Sequence, residues 1–235
     1  RGGGWERINL DDVEIAIDSH QGRRLISTIL LLGALAAGVQ AAPPARQLNL
    51  ETKPWKGDFD QMLERRMIRV LVPYSRTLYF VDKGHERGLL AELLREFERY
   101  LNKKHAKRLG KRPLTVYVIV TTRDKLLSGL DEGLGDIAAG NLTITDERLK
   151  HVDFISPAGV ESVDELIVTG PGSPKIATLE DLSGRTIHVR KASSYYESVQ
   201  ALNKRLEKAG KAPARIVELP DALEDEDALE MLNAG

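Results

Sequence analysis

Gly135-Asp136-Ile137-Ala138-Ala139-Gly140-Asn141-Leu142-Thr143-Ile144-Thr145-Asp146-Glu147-Arg148 is a short apolar strand that runs out into small polar residues. A glycine turn leads into it. Asn141 and Thr143 offer a hydroxyl, an amide and exposed backbone at the strand's exit. Thr145 is placed to cap a short helix that carries Arg148. Arginine is the side chain best shaped to grip a carboxylate, because its fork makes two parallel hydrogen bonds. Such an exit, at the carboxyl end of a strand, is where open α/β sheets gather their ligands.

The flanking sequence supports that sheet. Ile68-Arg69-Val70-Leu71-Val72 is rich in β-branched residues and stops at Pro73, and Leu114 to Val120 is the clearest strand. Further strands are expected over residues 136–139, 165–169, 186–189 and 215–218. Residues 88–107 read as a helix, with Leu89, Leu90, Leu93, Leu94, Phe97 and Leu101 recurring at three- and four-residue steps. Shorter helices are expected over 59–66 and 123–133. Another, over 194–209, carries Tyr195, Val199, Leu202, Leu206 and Ala209 in one stripe. This alternation implies an α/β fold with a largely parallel sheet. Val189-Arg190-Lys191-Ala192-Ser193-Ser194-Tyr195-Tyr196-Glu197 sends a strand straight into a helix, with Ser194 and Glu197 spaced as a capping box. A helix start offers free N–H groups and a positive dipole end, so it too can hold an anion.

The chain has 235 residues, enough for one large domain or two small lobes, with 34 Lys+Arg against 35 Asp+Glu. That balance argues against a nucleic-acid binder. The basic face of the 88–107 helix (Arg95, Arg99, Lys103, Lys104, Lys107, Arg108) reads as a solvated surface, since a nucleic-acid stripe would need aromatics interleaved along it. Without Cys there is no disulfide, thiolate metal site, iron–sulfur cluster or Cys nucleophile. His20, His85, His105, His151 and His188 form no ligand-spaced pair. Residues 170–175 lack phosphate-loop spacing, and no nucleophile elbow or other catalytic constellation is present. No cofactor and no metal are implied.

Arg23-Arg24, an apolar run from Leu25 to Val39 and a small-residue exit at Ala41-Ala42 make the three parts of a secretory signal peptide. Cleavage is expected after Ala41 or Ala42. The expected organisation is an uncertain leader over 1–22, a signal peptide over 23–42, a linker over 43–64, and two lobes over 65–158 and 159–235.

The stretch G-D-I-A-A-G-N-L-T-I-T-D-E-R-L-K-H-V-D-F-I-S-P (135–157) closely resembles the signature of the bacterial solute-binding proteins of family 3. Leu182-Ser183-Gly184-Arg185-Thr186-Ile187-His188-Val189 extends the likeness, which runs from about Met67 onward. The wording around 141–145 and 193–197 is similar to the solute-binding module of membrane-bound lytic murein transglycosylases, where it precedes a lysozyme-like domain. The resemblance implies a two-lobe type 2 periplasmic binding fold and a non-catalytic, exported, periplasmic module that captures a small carboxylate-bearing ligand. A membrane transporter or peptidoglycan is the further partner it implies, and outer-membrane association in a longer parent.

By the same resemblance, Arg148 holds the ligand's carboxylate. Asn141 and Thr143 contact the ligand from lobe one, and Ser193 and Ser194 close on it from lobe two. Arg123 and Arg76 stand where relatives place stacking aromatics, which points to something more acidic than a simple amino acid or to a muropeptide-like molecule. Tyr74, Tyr79 and Phe80 are the aromatics expected nearest the cleft. The sequence reaches Gly235 where a further strand is expected to bring the acid for a ligand's amino group, so lobe two is expected to be incomplete. Glu224-Asp225-Glu226-Asp227 reads only as a charged loop or helix start.

Overall fold

The computed structural model describes residues 53–155, 164–170 and 172–235. The leader and the signal-peptide segment lie outside the described residues. Asp58 opens α1 (Phe59–Arg65) with a capping box to Gln61, and Arg66 ends it in the left-handed conformation at φ 60°. β1 (Met67–Pro73) follows, then a hairpin of β2 (Phe80–Asp82) and β3 (His85–Arg87). α2 (Leu89–Lys104) and the single turn α3 (Ala106–Leu109) lead into β4 (Thr115–Thr121). α4 (Lys125–Asp131) leads into β5 (Ile137–Ala138). β1 sits centrally in a parallel sheet of order β4-β1-β5. This is lobe one.

β1 is buried on both faces, as a central parallel strand must be. Ile68, Val70 and Val72 face one side and pack with Leu90, Leu94 and Leu101 of α2. Each such side chain, fully buried, contributes about 1.5–3 kcal/mol. The alternate residues, Arg69 and Leu71, face α4 and the turn before β5. The apolar stripe of α2 is narrower than its sequence suggests, since Leu89 is 54 % and Leu93 52 % exposed. Gly88 starts this helix at φ 101°, with the Leu78 carbonyl 2.5 Å from where a Cβ would stand. Only glycine fits that combination.

Lobe two holds β6 (Thr186–Arg190), α5 (Ser194–Lys208), β7 (Arg215–Leu219) and α6 (Asp225–Ala234). β6 and β7 pair in parallel, and Leu182, Leu202 and Leu206 form the core beneath α5. The two lobes repeat one device. Asn102 on α2 exchanges two 2.8 Å hydrogen bonds with the Leu114 backbone just before β4. Asn203 on α5 does the same with Ala214 just before β7, at 2.9 and 2.7 Å. In each βαβ unit an asparagine fixes where the return strand begins.

The strand expected over 165–169 does not form. Residues 164–170 are irregular and Leu166 is 81 % exposed. β-branched composition makes a strand only where a neighbour completes the ladder, and β6 and β7 pair with each other alone among the described residues.

Candidate functional site

A cavity of about 260 Å³ lies at the carboxyl ends of the strands of both lobes. Lobe one supplies Arg123 after β4, and Asn141, Thr143 and Arg148 after β5. Lobe two supplies Arg190 at the end of β6, Ser193 and Ser194 at the start of α5, and Glu224, Asp225 and Glu226 at the start of α6. The volume lies just below the range of about 300–1,000 Å³ that suits drug-sized ligands, so it fits a molecule of amino-acid size.

Asn141 takes a left-handed conformation at φ 51°, which asparagine tolerates better than most residues and which turns the chain sharply out of the sheet. The Arg148 amide then donates to the Thr145 hydroxyl at 3.4 Å, opening a single 3₁₀ turn. The Arg148 side chain is 10 % exposed. Its Nη1 donates to the Thr143 carbonyl at 2.8 Å and its Nη2 to the Ala192 carbonyl at 2.9 Å, so it bridges the two lobes. Carbonyls satisfy its donors without neutralising its charge. The nearest carboxylate, Glu197, is 4.0 Å away. Burial lowers the Arg148 pKa, and Glu197 opposes that. The group stays a cation at neutral pH.

The N-cap of α5 is Ser193, one residue before the expected Ser194–Glu197 capping box. Its hydroxyl accepts from the Tyr196 amide at 3.3 Å and donates to the Arg190 carbonyl at 2.6 Å. Capping therefore consumes the Ser193 hydroxyl, and Ser194 is the first helical residue, buried at the cavity wall.

The acidic run 224–227 is more than the charged helix start its sequence suggests. Glu224 is 4 % exposed at its side chain and forms an ion pair with Arg123, 10 % exposed, across the cleft. Arg123 Nε lies 3.1 Å from both Glu224 oxygens, and its Nη1 donates to the Gly140 carbonyl at 2.6 Å. Burial by itself lowers the Arg123 pKa; the hydrogen bonds and charge of Glu224 outweigh it and raise it. Glu226 accepts from the Ser75 hydroxyl at 2.7 Å. Burial pushes its carboxyl up, but that bond and backbone amides of the Ser75–Thr77 loop hold it below the usual carboxylate value. Asp225 pairs with Arg190 at 2.6 Å. Arg190 keeps a buried Nε with no acceptor.

The remaining expected contacts fall elsewhere. Tyr79 is 3 % exposed in the core of lobe one, and its hydroxyl donates to Glu86 at 2.8 Å. Burial and that carboxylate push its pKa well up. Tyr74 is 59 % exposed and does not border the cavity. Arg76 lies outside it as well, paired with Asp227 at 3.1 Å and Glu230 at 2.8 Å. β2 begins at Phe80, which is half-buried and also outside the lining. Sequence reasoning missed Glu224, Glu226 and Asp225 and gave Arg190 no role. Arg190 carried a signal, since a charged residue ending a β-branched strand just before a helix faces the strand exits. Among the described residues no group of three or more His, Asp or Glu is placed to hold a metal ion.

The model of the bacterial extracellular solute-binding proteins, family 3, matches residues 70–216. This chain belongs to that family. Its fold is the two-lobed type 2 periplasmic binding fold. The solved structure of an ancestral amino acid-binding protein, AncCDT-1, a precursor of cyclohexadienyl dehydratase, superposes with a TM-score of 0.52 at 25 % identity. That match covers 75 % of this chain and 69 % of the other.

Among curated relatives, membrane-bound lytic murein transglycosylase F of Desulfosudis oleivorans is 29 % identical over 76 % of this chain and 35 % of its own length. The transglycosylase F of Pectobacterium atrosepticum is 29 % identical over 57 % of this chain and 26 % of its length. The L-cystine-binding protein TcyJ of Escherichia coli is 32 % identical over 33 % of this chain and 29 % of its length. The chain thus spans about a quarter to a third of the length of these curated relatives.

Proposed function

We propose that this chain is an exported, periplasmic, non-catalytic module that closes its two lobes on a small carboxylate-bearing ligand, an amino acid or a cell-wall peptide-like molecule. One observation carries the reading: Arg148 is buried at the lobe junction with its charge unmatched by any hydrogen-bonded carboxylate, close to the start of α5. A ligand carboxylate there gains a cation, the Ser194 amide at the start of α5, and the orphan Arg190 Nε. Glu226 and Glu224 are the acids available to a ligand's amino group.

Calorimetry of the wild type and Arg148→Ala against amino acids, dicarboxylates and cell-wall peptides tests this. Removing one partner of a desolvated charge pair costs about 2–5 kcal/mol, so affinity should fall roughly thirty-fold to several-thousand-fold. A ligand bound equally well by both proteins overturns the assignment.

The transglycosylase F relatives, matched over as much as 76 % of this chain, favour a second reading. On it the module is the regulatory N-terminal part of a peptidoglycan lytic transglycosylase whose catalytic domain lies beyond Gly235. The coding sequence past Gly235 decides: a lysozyme-like domain there supports this reading, and a membrane transporter partner belongs to the first.

A further inference from the structure

Charge is unevenly spread along this nearly neutral chain. From Arg99 to Arg123 there are eight Lys or Arg and no Asp or Glu, leaving 26 basic against 35 acidic residues elsewhere. Three of the eight, Arg99, Arg108 and Arg123, pair with carboxylates. Lys103, Lys104, Lys107, Lys111 and Arg112 are exposed and have no carboxylate partner among the described residues. Arg66 adds a sixth cation at the same place, its Nη1 donating to the Leu109 carbonyl at 2.6 Å and also to that of Arg112.

These residues sit at the end of α2, on α3 and in the turn before β4, at the amino ends of β1 and β4. The cavity lies at the carboxyl ends. Seven-residue strands rising about 3.3 Å per residue put roughly 20 Å between the two. Tyr100 stands 55 % exposed beside the patch, with the Lys104 ammonium 5.3 Å from its ring centre.

We propose that this pole of lobe one docks on anionic phospholipid headgroups, with the cleft facing away from the membrane. Four of the six cations are lysines, flexible point charges with no convergent hydrogen-bonding geometry, which suits a fluid array of phosphates more than a fixed partner. Each basic residue near such a surface adds attraction, and four to eight clustered suffice for recognition. A lone tyrosine at the rim matches the aromatic preference of the membrane interface. It makes no stacking platform for nucleic acid, and the family is extracellular.

The test is co-sedimentation of the full chain with vesicles of phosphatidylcholine alone and with about a third phosphatidylglycerol, at low and high salt. Lys103→Gln/Lys104→Gln/Lys107→Gln/Lys111→Gln is compared with Lys175→Gln/Lys204→Gln/Lys208→Gln/Lys211→Gln, an equal charge change on exposed residues of lobe two. Binding to the anionic vesicles should fall about tenfold or more in the first variant only, and high salt should weaken the wild type. Equal loss in both variants would mean that net charge alone acts. Equal binding to neutral vesicles would assign adhesion to the apolar run at 25–39. Tighter binding to an RNA homopolymer than to the anionic vesicles would assign the patch to nucleic acid. Each of these outcomes overturns the proposal.

Discussion

Asp136→Ala is expected to destabilise lobe one by about 3–5 kcal/mol, because it strands a buried charge. The Asp136 side chain is 2 % exposed. It accepts from the Arg69 amide at 2.7 Å and from Arg69 Nη2 at 2.9 Å, and it pairs with Arg65. Arg69 is itself 5 % exposed at its side chain, on the central strand. Without the carboxylate its guanidinium keeps only the Lys53 and Trp55 carbonyls. Such a loss is a large share of the roughly 5–15 kcal/mol that holds a domain folded. Urea denaturation measures it. An Asp136→Ala midpoint equivalent to less than about 1 kcal/mol of loss would show that the pair is solvated and dispensable.

Glu224→Ala should disfavour the closed arrangement of the lobes by a comparable amount, since it leaves Arg123 unpaired inside the cleft. Small-angle scattering should show a larger radius of gyration for this variant without ligand. The double variant Arg123→Leu/Glu224→Leu should lose less than the two single changes together, because neither charge is then orphaned. A scattering curve for Glu224→Ala that superimposes on the wild type argues against the latch. Glu226 adds a pH dependence of definite sign. Its pKa is depressed below 4.5 on folding. Its contribution is therefore complete above that value and is lost as pH falls through the lowered one. Closure should weaken in that acid range and not between neutral and mildly basic pH.

Local physics made most of the elements legible. Runs rich in Val, Ile and Leu located β1, β4 and β6 to within a residue or two; β1, buried on both faces, needs its continuous apolar sequence, while β4 and β6 are marked by β-branched residues. Residues 165–169 have the same composition and no partner among the described residues, so composition alone misled. Arg148 and the α5 start were legible because both are strand exits. The Arg123–Glu224 and Ser75–Glu226 contacts join residues 101 and 151 positions apart. Nothing periodic or local marks such pairs. Tyr79 failed for the opposite reason: its loop folds inward, and Glu86 on the following hairpin gives the hydroxyl a partner, which lets the ring bury.

Trp55 stacks against the Arg65 guanidinium, 3.5 Å from the ring centre, and its amide donates to the Gly133 carbonyl at 2.9 Å. The sequence has one other tryptophan, Trp5, and none after Trp55. In a Trp5→Phe background the indole emission therefore reports the unfolding of lobe one alone, whereas far-UV ellipticity reports α5 as well. Coincident denaturation curves are expected while the Arg123–Glu224 latch couples the lobes into one cooperative unit. Among the described residues lobe two has the smaller core, so Glu224→Ala should separate the curves, with ellipticity falling first and emission persisting to higher urea. One side chain's fluorescence thus turns the latch from a static contact into a measure of how strongly two folding units depend on each other.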